Sequence, residues 1–140
     1  MTTTDTNETN TAAEIEAELR HFTGDLERTR HALNRRVIYT PGIAHLAERC
    51  GAYWLIDEIA LAQMSPRLQD EQVQDGRLRE MQFWTLLVEN GVGWLGCRAD
   101  ADVRPAYAKK IPFTDFPLAK IDVWAAWDGQ HWTLYLPSEH

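Results

Sequence analysis

The chain has 140 residues, of which 44% are hydrophobic, and its 14 basic and 21 acidic residues give a net charge of −7. This length suits one domain with a substantial apolar core, and no apolar run is long enough to span a membrane. The first residues lack the basic and apolar stretches of a secretory signal, so we expect a cytoplasmic protein. Residues 1–19 hold five acids and no base, which leaves the rest of the chain close to neutral. A dense negative surface that mimics nucleic acid is therefore not expected.

Composition divides the chain into a short tail and one domain. Residues 1–10 are rich in Thr, Asn and acids and have no apolar anchor after Met1. We expect them to form a disordered, acidic, Thr-rich tail, and residues 11–140 to form a single α+β domain.

Helical spacing of apolar residues dominates the first half of the domain. Thr40 and Pro41 suit a helix start, and Gly51 suits the matching end. A short extended segment is expected at 37–39, and a polar connection at 64–79. Helices are predicted over 11–22, 25–33, 41–50 and 52–63.

The second half changes to the two-residue period of β-strands. Asn90-Gly91 favours a tight type I′ hairpin turn, which would place Leu87 opposite Trp94 and Phe83 opposite Arg98. Asp128-Gly129 predicts a second hairpin, and residues 106–111 suit an edge strand. The predicted fold is α+β, with N-terminal helices packed on one face of a four- or five-stranded antiparallel β-meander.

The hairpin registers distribute the aromatic residues between two sheet faces. Trp127 and Trp132 alternate in step with apolar residues and are predicted to lie in the core. The opposite face combines aromatic and basic residues, which are common at protein interfaces. Its predicted members are Trp94, Arg98, Trp124, His131 and Tyr135.

Four arginines within nine residues form a second candidate site: Arg28, Arg30, Arg35 and Arg36. Guanidinium groups at this density suit phosphates or carboxylates, including those of nucleic acid. The alternative interpretation is that these side chains pair with Asp25, Glu27 and the acidic first helix.

Motifs of catalysis are absent from the sequence, including nucleophile elbows, zinc-protease helices and phosphate-binding loops. Asp57, Asp115 and His131 are the residues that an enzyme would have to use. The structural interpretation is that Asp57 pairs with a nearby arginine and that Asp115 accepts backbone amides as a turn or cap residue. Cys50 and Cys97 have no metal-ligand spacing and are expected to be buried free thiols. We predict no cofactor and no metal site.

Three segments have distinctive sequences: GAYWLIDEIALAQ (51–63), IPFTDFPLAKIDVW (111–124) and LYLPSEH (134–140). With FTG at 22–24 and VIYTPGIAHLAE at 37–48, they resemble an uncharacterised domain-of-unknown-function family of bacteria, phages and plasmids. The resemblance covers about residues 20–140 and implies no catalytic residue or ligand. It implies that the chain could serve a mobile genetic element as an accessory factor.

The sequence therefore favours a non-enzymatic interaction protein that binds a protein partner or forms a homodimer through the aromatic face. The alternative is a nucleic-acid or phosphate-ligand binding module that uses the four arginines. No membrane association is expected.

Overall fold

The computed structural model describes residues 3–24 and 26–140, with side chains described from residue 11 onward. Two short 3-10 helices, Gly76–Arg79 and Pro137–Glu139, supplement the regular elements. The α-helices are α1 (Thr3–Arg20), α2 (Pro41–Cys50), α3 (Tyr53–Ala62) and α4 (Pro66–Gln74). The strands are β1 (Thr29–Arg30), β2 (Val37–Tyr39), β3 (Met81–Glu89), β4 (Val92–Arg98), β5 (Tyr107–Ile111), β6 (Lys120–Trp127) and β7 (Trp132–Tyr135).

Helix α1 begins earlier than the apolar pattern indicates. Ile15 and Leu19 are buried against the rest of the domain, as their helical spacing predicts. The helix extends back to Thr3, so residues 3–10 of the predicted disordered tail belong to α1. No Gly or Pro interrupts this stretch, so the packed turns can continue in the N-terminal direction. Residues 1 and 2 lie outside the described residues, as does Asp25, one of the expected partners of the arginines.

Helix α2 begins and ends at the residues that the sequence indicates. The Thr40 hydroxyl accepts a hydrogen bond from the Ile43 N–H, and Pro41 occupies the first turn. Gly51 adopts the left-handed conformation with φ 59°, and its N–H donates to the Ala47 carbonyl. Local capping chemistry is sufficient to set both ends of this helix.

Within the described residues the sheet has seven strands, in the order β1-β2-β7-β6-β3-β4-β5. Strand β2 pairs in parallel with β7, and the other neighbours pair antiparallel. The predicted four- or five-stranded antiparallel meander is therefore too small, although the α+β class is confirmed. Strands of two and three residues are too short for a periodic pattern, and β2 finds its partner far along the chain. The predicted helix over 25–33 is wrong, because β1 lies within this segment.

The first hairpin has the predicted register. Asn90 and Gly91 both have positive φ, 53° and 74°, and Leu87 lies opposite Trp94. The second hairpin is looser, because Asp128 accepts hydrogen bonds from the backbone N–H groups of Gln130 and His131. Its loop is two residues longer than predicted, and a shift of two residues keeps every strand side chain on its predicted face.

One face of the sheet forms the core with the helices. Buried residues of α1, α2, α3 and α4 join a single apolar cluster with this face. Trp132 is buried and packs against the half-buried Trp127, with ring centroids 5.6 Å apart. The sheet residues of the cluster that are almost fully buried are Val37, Trp84, Leu86, Leu95, Cys97, Val123, Ala125 and Leu134.

Candidate functional site: the open sheet face

The face of the sheet opposite the core is called here the open face. Cross-strand partners share a face, so the pairings place Tyr135, Trp124, Phe83 and Arg98 in one row across β7, β6, β3 and β4. The Trp124 ring contacts both aromatic neighbours edge to face, at 5.3 Å from Phe83 and 6.1 Å from Tyr135. We call these four residues the aromatic row.

His140 covers part of the aromatic row. Its ring stacks on Tyr135 at 5.8 Å and meets Trp124 edge to face at 5.3 Å. Its Nδ1 lies 2.9 Å from the Tyr135 hydroxyl. Tyr135 is only 9% exposed, and burial raises the pKa of its hydroxyl. The chain therefore supplies some of the cover that the aromatic row needs.

Glu139 fixes the segment that carries His140. Its Oε1 accepts hydrogen bonds from the Thr40 hydroxyl at 2.7 Å and from the Leu136 N–H at 2.9 Å. Gly42 leaves room for this carboxylate, since a Cβ atom there would lie 2.5 Å from Oε1. The C-terminal segment is thus packed against the start of α2.

A second row of side chains on the open face is exposed to solvent. Leu87 and Trp94 lie directly opposite each other and are 49% and 52% exposed. They are four residues along β3 from the aromatic row, a separation of about 13 Å. The Lys110 ammonium group lies 5.3 Å from the centre of the Trp94 ring. Leu87 and Trp94 form the exposed apolar part of the open face.

The predicted site is therefore divided. Arg98, Trp124 and Tyr135 share the aromatic row, and Trp94 lies in the other row. His131 belongs to neither, because it precedes β7 in the hairpin loop. The two-residue turn expected from Asp128-Gly129 would place His131 on the strand, and the longer loop removes it.

The arginine cluster is spread over a strand and a loop. Arg30 lies on the open face opposite Ile38, whereas Arg35 and Arg36 lie in the loop that connects β1 to β2. Arg28 precedes β1 and donates to the Glu27 carbonyl. All four side chains are exposed. Among the described side chains, no carboxylate forms an ion pair with Arg30, Arg35 or Arg36, while Glu14 and Glu18 of α1 pair with Arg49.

Asp57 pairs with His31 rather than with an arginine. The buried His31 ring accepts the Asn34 N–H at Nδ1, at 2.9 Å, and its Nε2 lies 2.7 Å from Asp57 Oδ1. A backbone N–H can only donate, so the ring hydrogen lies on Nε2 and points to Asp57. Both ring nitrogens are engaged within the chain, which gives the pair a structural role in holding the β1–β2 loop on α3.

This pair predicts different costs for two substitutions. His31→Ala should lower the free energy of unfolding by about 1–3 kcal/mol, because the buried Asn34 N–H loses its acceptor and Asp57 loses its donor. Asp57→Asn should cost about 1 kcal/mol or less, because the amide oxygen can still accept from Nε2. Urea unfolding of both variants measures the difference, and a larger loss for Asp57→Asn would contradict this role.

Asp115 lines an open groove of about 740 Å³ near the β3–β4 turn. Phe116 is buried and packs edge to face on Trp54 at 6.4 Å, whereas Phe113 is 91% exposed at the groove rim. Glu58, also in the lining, forms an ion pair of 2.9 Å with Lys109. The groove brings Asp115 close to neither Asp57 nor His131, since neither lines it.

The two cysteines are buried free thiols, as predicted. Burial raises the pKa of Cys97 to about 12 and that of Cys50 to about 11. At pH 8 we expect a water-soluble disulfide reagent to label both thiols only after denaturation, since the thiolate is the reactive form. Rapid labelling of native protein would contradict this burial.

The raised pKa values of the two thiols also predict a pH dependence of stability. Above about pH 9 the thiols of the unfolded chain ionise, whereas those of the folded chain stay protonated up to about pH 11. The free energy of unfolding should therefore fall as pH rises above about 9.

Sequence reasoning missed several contacts on the open face. The predicted register places Leu87 opposite Trp94, but it does not indicate that both side chains are exposed. Nothing in the strand pattern indicates that His140 packs on Tyr135 and Trp124. Lys110 suits an edge strand, and the sequence gives no sign of its contact with Trp94. Only the register of β5 on β4, which places Lys110 opposite Trp94, could have indicated that contact.

Two further observations concern other kinds of site. Within the described part of the chain, no helix is both long and apolar enough to cross a membrane. The described residues also bring no three metal-ligating side chains together.

Comparison with known proteins identifies a family and nothing closer. No curated protein and no solved structure matches the chain. The model of a family of unknown function (DUF6876) matches residues 13–140, and the chain belongs to this family.

Proposed function

We propose that the protein is a non-enzymatic interaction module that binds another polypeptide through its open face. The observation that carries this proposal is the exposure of Leu87 and Trp94 side by side on the face opposite the core. Exposed apolar residues that adjoin one another mark interaction sites more often than isolated ones do. Trp is also enriched among the residues that dominate binding energy.

The aromatic row supports the proposal in a different way. Trp124 and Tyr135 pack against each other and against His140, so their side chains are held in place and are partly covered. Contacts with a partner would then concentrate on the neighbouring Leu87 and Trp94. A rigid surface loses little conformational entropy when it binds.

The second candidate function is binding of nucleic acid or a phosphate ligand by Arg28, Arg30, Arg35 and Arg36. Its specific support is that Arg30 and Arg98 share the open face, and that Arg30, Arg35 and Arg36 have no carboxylate partner among the described side chains. Tyr135, which could stack on a base, already stacks on His140. A role in a mobile genetic element, which the resemblance implies, stays a prediction.

The test is purification from the native host with three proteins: the wild type, Leu87→Ala/Trp94→Ala, and Leu61→Ala/Val73→Ala. Leu61 and Val73 are exposed apolar residues of α3 and α4 and serve as the matched control. We expect a stoichiometric protein partner, or a dimer mass, with the wild type and the control, and its loss with the first double variant. The same partners with all three proteins would contradict the proposal, and a nuclease-sensitive complex would favour the second candidate.

A further inference from the structure

Four neighbouring strands of the open face carry a row of two lysines around two apolar residues. Lys120 lies opposite Leu87, Leu87 opposite Trp94, and Trp94 opposite Lys110. All four side chains are exposed. We call these four residues the lysine row.

The charge of the open face is opposite in sign to that of the chain. The strand residues whose register places them on this face include four bases, Arg30, Arg98, Lys110 and Lys120, and two acids, Glu89 and Asp122. The whole chain has 14 bases and 21 acids. The strand residues of this face therefore carry a net positive charge, and two of the four bases, Lys110 and Lys120, lie beside the exposed apolar residues.

Among the described side chains, one acid contacts the lysine row, and it is partly engaged elsewhere. Asp122 Oδ1 accepts the Thr85 hydroxyl at 2.7 Å, and Oδ2 lies 3.9 Å from the Lys120 ammonium. Lys110 is held over the Trp94 ring without a carboxylate partner in the described part of the chain. Both ammonium groups can therefore receive carboxylates from another molecule.

We propose that the lysine row binds an acidic segment of a partner protein, in which carboxylates flank a central apolar side chain. The apolar side chain would pack on Leu87 and Trp94, and the carboxylates would pair with Lys110 and Lys120. This inference rests on the proposed function and names the chemistry of the partner.

The dimensions of the sheet suit such a segment. Adjacent strands are about 4.8 Å apart, so the backbones that carry the two lysines are separated by about 14 Å. A helix of about nine residues spans that distance. Acids near both ends of a short amphipathic segment would then reach both lysines at once.

A nucleic-acid strand fits this row less well. Lys110 covers one side of the Trp94 ring, and Leu87 offers no ring on which a base could stack. Binding of single strands depends on successive aromatic platforms along a basic groove. The exposed pair of apolar side chains is better matched by an apolar residue of a protein.

The test selects ligands from a random dodecapeptide library on immobilised full-length protein, and then measures affinities of synthetic copies of the enriched peptides. The variants are Trp94→Ala, Lys110→Glu/Lys120→Glu and, as the control with the same charge change, Arg35→Glu/Arg36→Glu. Thermal unfolding checks that each variant is folded. Labelled oligothymidine and the solution mass of each protein are measured in parallel.

We expect enriched peptides to be acidic and to carry Leu, Ile, Phe or Trp between carboxylates. Trp94→Ala should weaken them about 30-fold, the loss typical of an interface residue that dominates binding. Lys110→Glu/Lys120→Glu should also weaken them and should reduce the salt dependence of binding, whereas the arginine control should bind as the wild type does.

Peptides that depend on Trp94 but are neutral or basic would overturn the acidic partner and leave the proposed function standing. Absence of any Trp94-dependent ligand would count against both. Oligothymidine binding that is lost in the arginine control would favour nucleic acid, and a dimer that Trp94→Ala dissociates would assign the face to a second copy of the chain. Either result would overturn the inference.

Discussion

Trp84→Ala should lower the free energy of unfolding by about 3–5 kcal/mol, whereas Trp94→Ala should lower it by less than about 1 kcal/mol. Trp84 is fully buried on β3, and its Nε1 donates to Gln82 Oε1 at 2.9 Å. Trp94 on β4 is half exposed on the opposite face. Alanine at position 84 leaves a large cavity and removes a donor from a buried amide.

Urea unfolding with fixed conditions measures both losses. Trp84→Phe serves as the control, because it keeps an aromatic ring and removes only part of the volume. Similar losses for Trp84→Ala and Trp94→Ala would contradict the division of the sheet into a core face and an open face.

The second large effect concerns binding. We expect Leu87→Ala/Trp94→Ala to weaken binding of the natural partner by a factor of about 30 or more, since residues that dominate interfaces contribute at least about 2 kcal/mol. The unfolding temperature should stay near that of the wild type, because both side chains are half exposed. Titration calorimetry with the purified partner provides the measurement.

Trp124→Ala is the informative comparison for this prediction. Trp124 contacts Phe83, Tyr135 and His140, so its truncation should cost more stability than that of Trp94. A loss of binding with Trp124→Ala and none with Leu87→Ala/Trp94→Ala would move the interface to the aromatic row.

Features set by local chemistry could be predicted from the sequence. Asn90 and Gly91 adopt the positive φ angles that their residue types allow, and the register of the first hairpin follows from that turn. The second loop is longer than expected, yet Trp124 and Tyr135 stay on the predicted face because the shift is an even number of residues.

Features set by distant contacts could not be predicted. Strand β2 pairs with β7, and no property of Val37–Tyr39 identifies that partner. The loop before β2 is held by the pair of His31 and Asp57, which lie 26 residues apart. The helix predicted over 25–33 is wrong because β1 lies in this segment. The apolar pattern of these residues carries no information about the contact with Asp57.

The candidate site shows the same division. The two-residue period of the strands is sufficient to place Trp94, Arg98, Trp124 and Tyr135 on one face. The exposure of a residue on that face depends on which other parts of the chain pack over it. His140 covers Tyr135, and nothing in the strand pattern distinguishes that residue from the exposed Trp94.

The central claim is that the open face binds another polypeptide, and site-specific photo-crosslinking tests it most directly. A benzophenone amino acid is placed at position 94 in one protein and at position 73, an exposed site on α4, in the other. After irradiation in the native host, we expect a strong protein adduct at position 94 and only background at position 73. Equal adducts at the two positions, or none at position 94, would contradict the claim.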